Sequence, residues 1–164
     1  MLMAREVDLV IASGGLIAPA LQRVTVGQGG YACLVDGASL APGEAALTVE
    51  AFTRRPHVLV SSGGFIGVVD EVLHGMGQTR RVLAATTHFA ALPFLMQGSD
   101  ALATLPAHAA RGLAAVTGLR LLPCPIAMPG YAIEMGWRAD ALRDEAVAAA
   151  RRCLLGLLQG YRWE

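Results

Sequence analysis

The chain has 164 residues, of which 54% are hydrophobic and 16% charged, so it has ample apolar side chain for one compact domain or two small lobes, and intrinsic disorder is excluded. Thirteen basic residues balance thirteen acidic ones. A zero net charge argues against a domain that grips nucleic-acid backbone unaided, because phosphate neutralisation needs clustered positive charge. All thirteen cations are arginine, and lysine and asparagine are absent, which rules out a Schiff-base or Walker-type lysine. The arginine and alanine excess has a plain source in a GC-rich genome.

Residues 7–12 (VDLVIA) form a short apolar run closed by Ser13-Gly14-Gly15, as a buried strand does. Residues 21–26 alternate, Gln28-Gly29-Gly30 break the run, and 31–35 resume as strand. Residues 37–44 carry Pro42 and two glycines and read as loop. Thr48 can cap a short helix with Ala51 and Phe52 inward, and Pro56 blocks its continuation before strand 57–60 (HVLV). Ser61-Ser62-Gly63-Gly64 then leads to a helix with Ile66, Val69, Val72 and Leu73 on one face, stopped by Gly75 and Gly77.

Strand 81–85 follows, and Thr86-Thr87-His88 opens a helix that turns Phe89, Leu92 and Met96 inward and ends at Gly98. Residues 101–105 are strand, Pro106 starts a helix to about Val116, and 119–122 are strand. Three prolines within 123–129 impose an extended, stiff segment. Residues 131–137 are strand, and Asp140 can cap a last helix with Leu142, Ala146, Ala150, Cys153, Leu154 and Leu157 as its inward stripe. Strands alternating with helices give an α/β class with largely parallel pairing. Two stretches, 13–21 and 123–129, read as crossovers between lobes, the mark of a hinged two-lobe binder.

Cys33, Cys124 and Cys153 are odd in number, far apart in sequence and never in C-x-x-C. They read as small buried hydrophobes in a reducing, cytoplasmic setting, without a disulfide framework or zinc knuckle. The four histidines lack a His or Cys partner at helical spacing, so no metal site is expected. Asp70, Glu71, Asp144 and Glu145 read as solvated acids on helix faces, and neither a Ser–His–Asp order nor G-x-S-x-G is present. No window of about 18 residues suits a membrane span, and Arg5, Glu6 and Asp8 interrupt any signal-peptide run.

Residues 81–106 (RRVLAATTHFAALPFLMQGSDALATLP) resemble the effector-binding domain of LysR-type transcriptional regulators, with its "hF-x-x-x-P-x-L-h-x-G-S-D-L-h-A-x-hP" segment, h being hydrophobic. In the family order, 5–12 (REVDLVIA) resemble its "G-E-h-D-L-h-I" strand and 47–62 (LTVEAFTRRPHVLVSS) its "L-T-h-E-x-h-x-x-x-P-H-h-h-h-S" block. Residues 121–137 resemble its stretch of prolines before an aromatic-ending strand.

The resemblance implies a periplasmic-binding-protein-like (type 2) fold of two hinged α/β lobes with a ligand site in the interlobe cleft. Lobe I would be 1–18 plus 127–164 and lobe II 19–126, in one effector-binding domain. The family's winged helix-turn-helix and the first strand, helix and second strand of lobe I would precede Arg5, so the chain reads as a regulator with part of lobe I missing. DNA would be contacted only through that absent module.

Ligands of open α/β sheets sit beyond the carboxyl ends of strands, where helix N-termini attract anions. That rule singles out Ser61, Ser62 and Gly63, then Thr87, His88 and Phe89, then Ser13 and Gly14, then Leu105 and Pro106. Each has a plainer reading: Ser62 and Thr87 as helix caps, Phe89 as core, His88 as an ordinary surface or core histidine, the glycines as turns, Pro106 as a first-turn proline.

The expected function is sensing of a small, carboxylate-like effector by a cytoplasmic, non-enzymatic domain, without cofactor, catalytic residue or membrane. Self-association as a homodimer or higher oligomer is expected from an unpaired sheet edge. The alternatives are a stand-alone small-molecule-binding module, a degenerate fragment of the same fold, and, least favoured, an α/β enzyme built on the cleft.

Overall fold

The computed structural model describes residues 2–13, 15–61, 63 and 66–163. The chain divides into two compact units, Met1–Gly29 with Gly130–Glu164 and, between them, Gly30–Pro129. These units part at 29/30 and 129/130, whereas the lobe limits implied by the resemblance are 18/19 and 126/127. The reason lies in pairing: the strand after residue 21 belongs to the first unit's sheet and not to the second's. Within the stretch 13–21, expected as a crossover, Leu16 N–H donates to Ser13 O at 3.2 Å and Leu21 N–H to Ala18 O at 3.0 Å, all four residues belonging to unit 1.

Unit 1 is a three-stranded sheet and one long helix. Strand β1 (Leu9–Ser13) and strand β2 (Gln22–Gly29) both pair antiparallel with the C-terminal strand Tyr131–Trp137, which lies between them. Ile133, Met135 and Trp137 recur at the two-residue period of a strand and form one buried face with Val26. The helix Glu145–Gln159 covers that face with Leu154, Leu155 and Leu158.

The expected stripe on this helix is displaced. Cys153 and Leu157 are exposed, because the inward row runs through Val147, Arg151, Leu154 and Leu158. Arg151 stacks its guanidinium 4.1 Å from the Trp137 ring centre. The cap also differs: Asp144, not Asp140, accepts from the Ala146 and Val147 amides, and Asp140 precedes only a 3₁₀ turn.

Unit 2 is a five-stranded sheet covered on both faces. It comprises β3 (Tyr31–Asp36), β4 (Pro56–Val60), β5 (Arg81–Thr86), β6 (Leu102–Pro106) and β7 (Leu119–Pro123), in the spatial order β5-β4-β6-β3-β7. Its helices are α1 (Val49–Arg54), α2 (Val68–Gly75), α3 (Leu92–Met96) and α4 (Ala107–Thr117). Strand β3 shows how both faces are served. Ala32 and Leu34 enter the layer built with Leu92 and Met96 of α3 and Ala110 of α4, whereas Cys33 and Val35 enter the layer built with Phe52 of α1 and Val69 and Leu73 of α2. Phe52, Leu34, Leu92 and Met96 are wholly buried, and a side chain of this kind contributes about 1.5–3 kcal/mol on burial.

The pairing is not largely parallel. Among the described residues β3 runs antiparallel to both β6 and β7, and only β4 with β5 and β4 with β6 are parallel. An interior strand covered on both faces is uniformly apolar in either direction, so its composition carries no sign of its sense. Thr48 caps α1 as expected, its hydroxyl accepting from the Ala51 amide at 3.1 Å. Helix α2 starts later than its pattern suggests, with Gly67 as its N-cap and Ile66 exposed before it.

Candidate functional site

Strands β4, β5 and β6 run the same way, so their carboxyl ends share one edge of the unit 2 sheet. The antiparallel β3 begins at that edge, Tyr31 lying opposite Pro106. The first turn of α2 arrives there too. A cavity of about 260 Å³ opens where they meet, lined by Tyr31, Ser61, Phe89, Thr104 and Leu105 together with the α2 start at Gly67–Val69 and Arg80.

Of the residues singled out in the sequence, this cavity brings together Ser61, Phe89, Leu105 and Pro106. Ser61 is held by a tight local turn, its hydroxyl 3.1 Å from the Gly63 amide and 3.0 Å from the Gly63 carbonyl, while its own amide donates to Thr86 O at 2.9 Å. Gly63 thus positions Ser61 without lining the cavity. Phe89 is 39% exposed, a ring at the cavity surface and not the core residue its helical spacing suggests. Pro106 is the last residue of β6 and the N-cap of α4, one place before the expected first turn.

Thr87 and His88 are exposed and do not line the cavity. Thr87 is not the helix cap expected of it: the 3₁₀ turn 89–91 and α3 start without a side-chain cap, and the Thr86 hydroxyl accepts from the His88 amide at 3.2 Å in the turn before them. Ser13 closes β1 in unit 1 and is exposed. Gly14 and Ser62 lie outside the described residues.

Arg80, Tyr31, Thr104 and the Gly67–Val69 turn carry no motif and were not singled out. Arg80 follows α2 in an irregular turn, and its side chain is only 2% exposed. Its Nε donates to Asp70 Oδ1 at 2.8 Å and its Nη2 to Asp70 Oδ2 at 2.6 Å, a bidentate fork. Asp70 is therefore not a solvated helix acid. It also accepts from the Gly67 amide at 2.7 Å, which fixes the start of α2. The Arg80 hydrogen bonds, aided by the Gly67 amide, hold its carboxyl below the usual carboxylate range against the opposing effect of burial.

His57 completes the network. Its Nδ1 lies 3.2 Å from Arg80 Nη1 and its Nε2 2.9 Å from Phe52 O. A guanidinium only donates and a carbonyl only accepts, so Nε2 carries the proton and Nδ1 is bare. Burial lowers the imidazole to about 4, with the Arg80 charge adding to that effect and the Phe52 carbonyl opposing it. Arg80, which lines the cavity, is thus neutralised by Asp70, which does not, and the polarity offered to a guest is that of hydroxyls and first-turn amides. Tyr31 keeps its phenol protonated, because burial raises it above its ordinary value. Such a cavity can hold a small molecule with a flat apolar body on Phe89 and Leu105 and a polar head toward Tyr31, Ser61 and the α2 amides.

The comparisons with known proteins agree with this architecture. Residues 1–159 match the LysR substrate binding domain family. The HTH-type transcriptional activator NahR of Pseudomonas putida is 34% identical over 112 residues, covering 68% of this chain and 37% of that protein. Nodulation protein D 2 of Sinorhizobium fredii is 33% identical over 111 residues, covering 66% of this chain and 36% of that one. The regulatory domain of MexT, a transcriptional activator in Pseudomonas aeruginosa, superimposes with a TM-score of 0.78 at 30% identity, over 94% of this chain and 74% of that one.

The fold is that of a two-lobe, effector-binding regulatory domain. The chain belongs to the LysR substrate-binding domain family. It spans about a third of the length of the curated relatives it matches. NahR and MexT are transcriptional activators by name. Among the described residues no helix is long and apolar enough to cross a membrane.

Proposed function

We propose that this effector-binding domain takes a small, anionic organic molecule into the unit 2 cavity and that units 1 and 2 are the two lobes of the family's fold. The observation that carries the reading is the convergence of three parallel strand ends and the α2 N-terminus on one cavity beside a self-neutralised ion pair. First-turn amides and the helix dipole favour an anionic head, and no unpaired carboxylate is among the cavity's lining residues to repel it. The cavity, about 260 Å³ in volume, lies just below the range of roughly 300–1,000 Å³ typical of drug-sized ligands. It therefore suits a single-ring carboxylate better than a larger body.

The working protein is a cytoplasmic homo-oligomer that contacts DNA through a winged helix-turn-helix of its longer form. Ligand regulates it by binding one of two conformations more tightly, since equal affinity shifts nothing. The test is titration calorimetry with benzoate, succinate and the uncharged benzyl alcohol. Benzoate binding that weakens at least about tenfold (1.4 kcal/mol) in Phe89→Ala, with benzyl alcohol inert, supports the reading. A folded protein that gives no heat with any single-ring carboxylate overturns it.

A further inference from the structure

Cys33 and Cys124, distant in sequence, meet in unit 2. Cys33 lies opposite Leu122 in the β3–β7 ladder. Cys124, two residues past Leu122, returns to the same face of the sheet. Both sulfurs belong to the layer beneath α1 and α2, neither is in a disulfide, and the two thiols hydrogen-bond each other. Their surroundings differ. Cys33 is fully buried, whereas Cys124 is half-buried between Pro123 and Pro125.

The hydrogen bond to Cys124, followed by burial, pushes the Cys33 thiol up, so it stays protonated. The same hydrogen bond, with help from the Ile126 amide, draws Cys124 down to about 7 although burial opposes it. A solvent-reachable sulfur with thiolate character, beside a second thiol held within hydrogen-bonding reach, is the arrangement that oxidants select. Cys153 is exposed on the C-terminal helix of unit 1, whereas Cys33 and Cys124 both belong to unit 2.

We propose that Cys33 and Cys124 form an oxidation site for hydroperoxides, a role beyond effector binding. The Cys124 thiolate attacks one peroxide oxygen; the O–O bond breaks, the departing oxygen takes up a proton, and Cys124 becomes a sulfenic acid. The Cys33 sulfur then displaces that hydroxyl. The S–S bond forms as the S–O bond breaks, and the Cys33 proton leaves with the hydroxyl as water. Two thiols lose two electrons in all, and the hydroperoxide is reduced to water and an alcohol, or to two waters when it is hydrogen peroxide.

The site adjoins the effector cavity. Cys33 Sγ lies 3.7 Å from Thr104 Oγ1, and Thr104 lines the cavity. Drawing Cys33 Sγ onto Cys124 takes away the sulfur partner of that hydroxyl, so oxidation alters the polar wall that an effector meets.

The test uses the whole chain carrying Cys153→Ser, so that the exposed thiol cannot cross-link copies. It is exposed to hydrogen peroxide, blocked with an alkylating agent and digested with trypsin without reductant. The expected product joins fragments 24–54 and 121–138 within one monomer, lighter than their sum by two hydrogens and separated by reduction. In Cys33→Ala, dimedone is expected to trap sulfenic acid at Cys124. Recovery of both cysteines as free, alkylated thiols at peroxide doses that oxidise Cys153 in the unmodified chain overturns the proposal, as does a link found only between monomers. No effector is present, so the result stands apart from the calorimetry.

Discussion

Arg80 in unit 2 and Arg138 in unit 1 each gather the chain around them, and the two do so in different media. Arg80 in unit 2 is 2% exposed and meets Asp70, itself 25% exposed, through both ends of its fork. Arg138 in unit 1 is 12% exposed, but its carboxylate partners Asp8 and Asp140 are 51% and 36% exposed. Its Nη1 also donates to the Leu2 and Val7 carbonyls, each at 2.9 Å, and so fastens the N-terminal turn to the end of the unit's central strand. The buried arginine is hard to remove because its partners have nowhere else to turn. The other one leaves behind groups that water can reach.

Removing Arg80 is the largest expected effect. Arg80→Ala leaves Asp70 and His57 without their partner and should cost unit 2 about 3–5 kcal/mol in urea unfolding. Arg80→Met, which keeps the packing, should recover part of that only when Asp70→Leu accompanies it. A loss below that expected for Arg138→Ala would break the comparison.

Acid gives the next effect. Below its unfolded value near 6.5, His57 takes up a proton in the unfolded chain but resists in the folded one until about pH 4. The folded value is lowered, so the stability is fully present above pH 6.5 and is lost as pH falls toward 4, by about 3 kcal/mol in all. Asp70, also lowered, supplies stability above the ordinary carboxylate range that is lost on further acidification through its folded value. Urea midpoints at pH 7, 5.5 and 4.5 should fall in that order, and His57→Gln should flatten the slope. An unchanged slope in that variant would show that the imidazole is not buried neutral.

Two smaller effects sharpen the contrast. Arg138→Ala should cost about 1–2 kcal/mol, the worth of charge-assisted hydrogen bonds with an accessible acceptor, and the loss should appear in unit 1 alone. Thr48→Ala removes one cap of α1 and should cost about 1 kcal/mol. A larger loss there would mean that Phe52 shifts with the helix end.

The cavity was partly legible in the sequence, for a reason specific residues show. Ser61, Leu105 and Pro106 stand at strand ends, and the strand-end rule needs only the order of strands and helices to find them. Phe89 followed from its place after strand β5, although its burial did not. Arg80 and Asp70 could not be read this way. Their pairing depends on α2 folding back so that position 70 meets position 80, and an arginine followed by a second arginine looks like surface. His57 held the one clue: a polar ring in an otherwise apolar strand requires a buried partner, but nothing in its neighbourhood names Arg80. Strand direction was lost at β3, whose apolar run is the same either way. The thiol pair was hidden because register, and not spacing, places Cys124 beside Cys33.

Trp137 and Trp163 are the chain's two tryptophans, and both lie in unit 1. Trp163 rests on Gly27 at the bulge in β2, where any larger residue would collide with the indole, and Trp137 sits beneath Arg151. Intrinsic indole emission is thus a private channel for one half of the molecule. A melt followed by fluorescence times the loss of unit 1, whereas one followed by far-ultraviolet circular dichroism is weighted toward the larger unit 2. Superimposed traces would mean that the two halves unfold as one cooperative body, and separated traces that the chain carries two independent stabilities.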